Sequence, residues 1–286
     1  MGKVVFILLL IISLQSFAQD DEDSDKSNIQ TYTPSKLLKK SQWDIKLFAN
    51  LYTETNGNYD GVKADKPREN YLTTTVDIFT GVSENNRINV GLLLEYRSNT
   101  IGGEDAFSVF KFANNRGVSR NGLSSFAPAI KWQPIERIGN FSIQSAVHIP
   151  IIKNEFENNV FLDQTAYMFQ NRFFYDYTLP SGNWQLFTEL NTEYNFGDHT
   201  SFANNTFVFA PGVFMSYFPS KKSTILGFVQ HSQRFGDFTQ DYTALGFGGK
   251  YQLTNLLNLE VLYSKFVRGN DTGLGQSFNI GLRALF

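Results

Sequence analysis

The sequence predicts an all-β fold, a transmembrane antiparallel up-and-down barrel of about twelve strands, with ten or fourteen strands as the alternatives. Three observations lead to this prediction. Segments of about a dozen residues alternate apolar and polar side chains, which is the period of a strand with two different faces. The breaks between these segments are alternately long and short. Aromatic residues make up 15% of the chain while its mean hydropathy is only −0.25, because a membrane-crossing strand gives only alternate residues to lipid.

Residues 1–18 predict a signal peptide that is removed before the protein folds. Lys3 supplies a positive charge, residues 4–14 form an apolar run, and the SFA sequence at 16–18 offers a small residue on either side of a cleavage point. A spanning helix needs roughly 20 apolar residues, and this run has about half that number. We therefore expect cleavage after Ala18 and export of the remainder.

Residues 19–41 predict an acidic, mobile periplasmic tail. The stretch from Asp20 to Asp25 contains five carboxylates and no apolar residue that could be buried. We interpret it as a solvated spacer, with a docking tail or a calcium-attracting patch as the alternatives. Residues 29–41, which contain the sequence KLLKK, form either a short turn of helix or a simple lead into the barrel.

Residues 42–286 contain the alternating segments. The predicted strands are 42–54, 70–82, 88–98, 123–134, 140–151, 163–178, 184–195, 206–218, 223–233, 242–253, 257–268 and 275–286. A soluble β-sandwich or lipocalin-like barrel is the alternative, but soluble strands average five or six residues. Residues 206–233 are apolar on both faces, so their register stays open.

The last stretch, SFNIGLRALF, alternates up to the final residue, Phe286. One face holds the residues of the predicted insertion signal: Phe278, Ile280, Leu282 and Phe286. With the predicted export signal, this ending resembles that of a Gram-negative outer-membrane β-barrel protein of the porin-like or transporter-like kind. The resemblance implies an outer-membrane location, with outer-membrane lipid and the barrel-insertion machinery as partners and other envelope proteins left open. The net charge of −2 argues against nucleic acid as a partner.

The charged residues of the strands are expected to face the lumen. An Arg or Lys at the bilayer midplane costs about 2–4 kcal/mol, so inward placement is favoured. The predicted lumen-lining residues are Asp44, Lys46, Asp77, Glu95, Arg97, Lys131, Arg172, Asp176, Glu189, Glu193, Lys250, Glu260, Arg268 and Arg283. They either pair across strands and fill the interior or line an aqueous path, and the sequence leaves both interpretations open.

Catalysis and cofactor binding are not expected. The chain contains no Cys, and no HExxH, GxSxG or P-loop motif occurs. His231 with Ser232 or Ser216 comes nearest to a lipase pair, but adjacent residues on a strand point to opposite faces. The sequence therefore predicts no enzyme, no metal site and no cofactor.

The expected function is passive or weakly selective passage of small polar solutes through a lumen narrowed by inward side chains and by loop 99–121. The alternatives are a non-conducting structural or assembly component of an outer-membrane complex and, third, a lipid-modifying enzyme. Loop 99–121 is unusually apolar for an exposed loop, with Phe107, Phe110 and Phe112. It could also extend the wall as a hairpin, which we favour, or contact a partner.

Overall fold

Twelve long strands follow one another around a closed ring in the computed structural model, which describes residues 34–286. Each strand pairs antiparallel with its neighbours in the chain, as the sequence predicted. The strands are β1 (Trp43–Tyr59), β2 (Val62–Gly81), β3 (Ile88–Thr100), β4 (Ser119–Trp132), β5 (Phe141–Pro150), β6 (Tyr167–Thr178), β7 (Trp184–Phe196), β8 (Thr206–Ser220), β9 (Ser223–Gly236), β10 (Gln240–Gln252), β11 (Leu257–Asn270) and β12 (Gln276–Leu285).

The ring closes between the first and last strands. Their register runs from Asp44 opposite Leu285 to Thr53 opposite Gln276. Beyond β12, the amide of Phe286 donates to the carbonyl of Trp43 at 2.9 Å, and the amide of Trp43 donates back at 3.0 Å. Closure leaves neither β1 nor β12 with an unpaired edge, which lipid could not hydrogen-bond.

The two faces of the wall differ as the alternation predicts. On β12, Phe278 and Ile280 are 46% and 52% exposed on the outer face, whereas Ser277 and Asn279 are buried on the inner face. The same pattern on the other strands makes an apolar outer surface suited to lipid. Within residues 34–286, no helix has the length and apolarity that a membrane crossing requires.

The predicted long break at 55–69 is instead a continuation of the wall. β1 runs on to Tyr59 and β2 starts at Val62, so that only Asp60 and Gly61 form the turn. Both turn residues have positive φ, 50° and 77°, which is the conformation of a two-residue hairpin turn that matches strand twist. This hairpin lengthens the extracellular end of the barrel.

Loop 101–118 lies on the outside of the barrel. Its 3₁₀ helix, Ala106–Lys111, presents Val109, which is fully buried against Leu51 and Leu72 of the outer wall. The hydroxyl of Ser98 donates to the carbonyl of Val109 at 2.7 Å. The prediction that this loop narrows the lumen is therefore wrong, because its apolar side chains find a matching apolar patch on the outer face.

Candidate functional site: the barrel lumen

A segment before β1 enters the periplasmic end of the lumen. Leu38 is only 5% exposed, because it packs against inward-facing residues of four strands. These residues are Phe79, Leu93, Ala127 and Ala146. The two alanines leave room at the wall that the leucine side chain fills.

Polar contacts hold the same segment to the wall. The hydroxyl of Ser35 donates to the carboxylate of Asp176. The amide of Leu38 donates to the side-chain oxygen of Asn89 at 3.2 Å, and the ammonium of Lys131 donates to the carbonyl of Lys36 at 3.3 Å.

Residues 34–41 are thus docked inside the barrel mouth, although the sequence assigned them to a mobile tail. The alternation of the strands does not predict this contact, because the contact joins a segment without regular secondary structure to residues that are distant in the sequence. The predicted signal peptide, 1–18, and the acidic run lie outside the described residues.

At the extracellular end, loop 151–166 folds into the lumen. The guanidinium of Arg97 on β3 pairs with Asp163 at 3.2 Å, and the side chain of Asn99 donates to the carbonyl of Leu162 at 3.1 Å. Arg120 on β4 donates to the carbonyl of Glu155 at 2.8 Å. This loop therefore narrows the mouth, in the place where the sequence led us to expect loop 99–121.

Glu155 ties the inward loop to a second extracellular loop, 197–205. Its carboxylate accepts hydrogen bonds from the hydroxyl of Ser201 and from the amide of Phe202, the latter at 3.3 Å. The amide of Thr165 donates to the same carboxylate at 3.2 Å. The two loops are consequently held as one unit.

Asp163 makes this docking sensitive to protons. Burial raises the pKa of the Asp163 carboxyl to about 6, although the neighbouring Arg97 opposes the shift. Arg97 also pairs with Glu95 at 2.6 Å, so the guanidinium keeps a carboxylate partner in either protonation state of Asp163.

The lumen between the two constrictions holds ion pairs between neighbouring strands. Asp44 on β1 pairs with Arg283 on β12 at 2.6 Å, and Arg172 on β6 pairs with Glu189 on β7 at 2.8 Å. A third pair joins β10 to β11 at 2.7 Å, formed by Lys250 and Glu260. In each of these three pairs, the charge of one strand is compensated by the opposite charge of its neighbour.

Three more of the predicted lumen residues lie in this region, namely Lys46, Asp77 and Glu193. Glu193 accepts from the amide side chains of Gln170 and Asn191. The ammonium of Lys46 lies 4.8 Å from the centre of the Phe48 ring, and both Lys46 and Asp77 face the interior of the barrel.

Arg268 lies on the outer wall, not in the lumen as the sequence predicted. It is opposite Thr243 of β10 and pairs with Asp241 at 3.0 Å, with its side chain 64% exposed. A β-bulge between Thr243 and Ala244 shifts the register, so that residues beyond it no longer follow the alternation of the lower part of β11.

Aromatic residues also line the lumen, although the predicted lumen-lining set contained only charged residues. A row of four rings crosses β6 to β9, in the order Phe174, Phe187, Phe214 and Phe228, with centroids 6.1, 5.4 and 5.2 Å apart. The sequence did contain an indication of the lumen-facing rings of β8 and β9. Residues 206–233 are apolar on both faces, and one of those faces must point into the lumen.

A second aromatic cluster lies nearer the extracellular end. The rings of Tyr242 and Phe266 are stacked with centroids 4.2 Å apart, and Tyr52 lies 4.9 Å from Phe266. The hydroxyl of Tyr52 donates to Glu54 at 2.6 Å, so its polar end is satisfied.

These groups surround a cavity of about 580 Å³ in the lumen. Its wall includes two complete ion pairs, Arg172–Glu189 and Lys250–Glu260, together with the second aromatic cluster. Three rings of the row, Phe187, Phe214 and Phe228, also line it, and Pro34 of the docked segment contributes at the periplasmic end. A cavity of this size is typical of sites that bind small molecules, and its wall combines aromatic rings with charged and polar side chains.

His231 and Ser216 do not form a catalytic pair, because they lie on opposite faces of the wall. His231 lies on the outer face, where its Nδ1 is 3.0 Å from the hydroxyl oxygen of Thr243, whereas Ser216 lines the lumen. Among residues 34–286, no group of three or more His, Cys, Asp or Glu side chains is placed to hold a metal ion.

Comparison with known proteins identifies relatives of this barrel. Residues 55–283 match the family model described as "Putative MetA-pathway of phenol degradation". No curated protein matches the sequence.

Many solved structures share the fold, among them the following two. The COG4313 outer membrane channel from Pseudomonas putida F1 superposes with a TM-score of 0.68 at 10% identity, covering 94% of this chain and 100% of that one. The β domain of the Bordetella autotransporter BrkA gives 0.55 at 11% identity, covering 86% and 100%. The prediction of a transmembrane up-and-down β-barrel fold is therefore confirmed.

Proposed function

This chain belongs to the putative MetA-pathway of phenol degradation family, and on that premise we propose that it is an outer-membrane channel for small solutes that favours aromatic ones. The observation that supports the preference is the row of phenylalanine rings inside the lumen, next to compensated ion pairs. Aromatic rings attract one another through offset-stacked and edge-to-face contacts that an aliphatic solute cannot make. The proposal narrows the predicted class of small polar solutes to those with both a ring and a polar group.

The two ends of such a solute would contact different residues of the lumen. The ring packs against Phe214 and Phe228, while a hydroxyl or carboxylate group approaches the neighbouring charges of Arg172 and Lys250. Because each of these cations already has a carboxylate partner, the polar group is held only weakly. Weak binding lets a solute leave as well as enter, which conduction requires.

Passage also requires movement of the two constrictions. Residues 34–40 and loop 151–166 are held by hydrogen bonds, ion pairs and buried side chains such as Leu38 and Leu162. A single bridge between Lys40 and Gly81 of β2 adds a strand-like contact to the first of these segments. Such segments open locally at a much lower cost than the strands do. We therefore infer a channel that conducts in short openings.

The test is current recorded from single channels in planar bilayers during titration with phenol and, separately, with cyclohexanol. Phenol should block the current at lower concentrations than cyclohexanol, because it also stacks on the rings. Replacing both Phe214 and Phe228 with Ala should weaken the phenol block by about tenfold, the effect of one to two aromatic contacts. Val213→Ala, an outward-facing neighbour, is the matched control.

Equal block by the two alcohols would contradict the aromatic preference but leave a general channel. Silence from folded protein, even after deletion of residues 34–40, would contradict the channel itself and support the structural alternative.

Export by a cleaved signal peptide also stands as a proposal. The outer-membrane barrel fold is its support, since such a barrel must cross the inner membrane before it folds. The intact mass of protein purified from outer membranes should correspond to a chain that starts at Gln19, and a mass that includes residues 1–18 would refute cleavage.

A further inference from the structure

An amphipathic groove runs along the outer wall in the extracellular half of the barrel. It crosses β1, β11 and β12 beneath the 3₁₀ helix of loop 101–118. Two adjoining cavities of about 460 and 320 Å³ form it, and they share Leu51, Phe107 and Phe278 in their linings.

The part of the groove towards the membrane centre is apolar. Its lining includes Ala49, Val261 and Ile280, and the last two are 52% exposed on the outer face. Side chains on this face contact hydrocarbon, so the groove offers a hollow in which a lipid acyl chain can lie.

The part towards the cell exterior has two cations, Arg68 on β2 and Lys265 on β11. Both side chains are exposed, and the ammonium of Lys265 donates to the carbonyl of Leu274 at 2.7 Å. The acidic residue of the same lining, Glu54, is 5% exposed and forms an ion pair with Lys66. The rim that a ligand meets is consequently positive.

The 3₁₀ helix forms a rigid side to the groove. Asp105 caps the helix by accepting from the amide of Phe107 at 2.9 Å, and buried Val109 anchors it to the wall. Phe107 and Phe110 remain 70% and 47% exposed, with their rings stacked 6.2 Å apart. Exposed aromatic rings at this height are typical of the membrane interface.

We propose that this groove binds a phosphorylated, multiply acylated glycolipid of the outer leaflet, of the lipid A type. One acyl chain lies along Leu51, Val261 and Ile280, and a phosphate sits between Arg68 and Lys265. An apolar hollow below two cations matches an anionic amphiphile standing in the outer leaflet. A zwitterionic phospholipid has no net charge for that rim, and the site lies outside the lumen, so it is independent of the transported solute.

The experiment measures lipid retained by the full-length folded protein in detergent, by native mass spectrometry after addition of bisphosphorylated lipid A or its dephosphorylated form. The wild-type protein should retain the phosphorylated form at least tenfold more strongly. Arg68→Glu with Lys265→Glu should remove that difference. Lys63→Glu, an exposed cation of β2 outside the groove, is the control and should retain the lipid normally.

A second pair of variants tests the apolar part without changing charge. Val261→Trp should fill the hollow and lower retention of both lipid forms about tenfold. Val267→Trp lies on the same strand with nearly equal exposure, 51%, but outside the groove, and should have no effect. Folding of each variant is checked by comparing its electrophoretic mobility with and without heating of the sample.

Three results would overturn the proposal: equal retention of both lipid forms by the wild-type protein, normal retention by the double glutamate variant, or equal loss in the two tryptophan variants. Because channel conductance is recorded separately, failure here leaves the proposed channel intact.

Discussion

Arg283 on the last strand and Asp44 on the first form an ion pair across the seam that closes the barrel, with Nη2 and Oδ2 2.6 Å apart. A second hydrogen bond, from Nε to Oδ1 at 2.8 Å, makes the contact bidentate. Both side chains are about 15% exposed, so they lie in a region where an unpaired charge is poorly solvated. The pair therefore links the two ends of the barrel on its inner face.

Arg283→Ala should destabilise the barrel by on the order of 3 kcal/mol, because it leaves the Asp44 carboxylate buried without its main partner. Urea unfolding of the protein in lipid vesicles, followed by tryptophan fluorescence, measures this loss. Asp44→Leu combined with Arg283→Met removes both charges and should recover most of the stability. If the double variant is no more stable than Arg283→Ala, the unpaired charge is not the cause.

Phe286→Ala should impair insertion into the outer membrane more than conductance. The backbone of Phe286 pairs with Trp43 whatever its side chain is, so the closed barrel survives the change, whereas the terminal ring of the predicted insertion signal is lost. The amount of folded protein in outer membranes and the single-channel conductance are each measured for Phe286→Ala and for the wild-type protein. Phe209→Ala, another outward-facing aromatic residue, is the control, and normal assembly of Phe286→Ala would refute the signal.

Conductance should fall when the pH is lowered from 7 to 5. The pKa of Asp163 is about 6 in the docked loop and 3.8 in an exposed aspartate, so docking takes up a proton in this range and is favoured at the lower pH. Arg97 keeps Glu95 as its partner when Asp163 is neutral. Single-channel recordings at both pH values, with the same salt, provide the measurement.

Asp163→Asn imitates the protonated carboxyl and should conduct poorly at both pH values. Glu104→Gln, in the loop on the outer wall, should respond to pH as the wild-type protein does. Higher conductance at pH 5, or a remaining pH response of similar size in Asp163→Asn, would show that Asp163 does not control the loop.

Leu38→Ala should raise the open probability of the channel. Deleting buried methyl groups from a leucine costs roughly 2–5 kcal/mol, and here that loss falls on the docked segment and not on the barrel. Planar-bilayer recordings measure the change, while urea unfolding should stay within error of the wild-type protein. Lys39→Ala, at an exposed neighbouring position, should alter neither quantity.

The strand count and the outer face could be predicted from sequence because strand alternation is local. Phe278 and Ile280 are two residues apart, so they share a face in any strand, and lipid outside makes that face apolar. The charged partners of the lumen could be named as a set but not matched in pairs. Matching Arg172 to Glu189 needs the register between β6 and β7, which no single strand contains.

The remaining features depended on closure of the barrel and on surfaces that are distant in sequence. Both faces of the strand that contains Phe214 are apolar, so only the closed barrel shows that this ring faces the lumen. Arg268 lies on the outer face because a β-bulge shifts the alternation of its strand. Leu38 packs against side chains that lie 41 to 108 residues later in the sequence, from Phe79 to Ala146. Local periodicity thus determined that this protein is a membrane barrel, whereas contacts between distant segments decided how its lumen is lined and where it is narrowed.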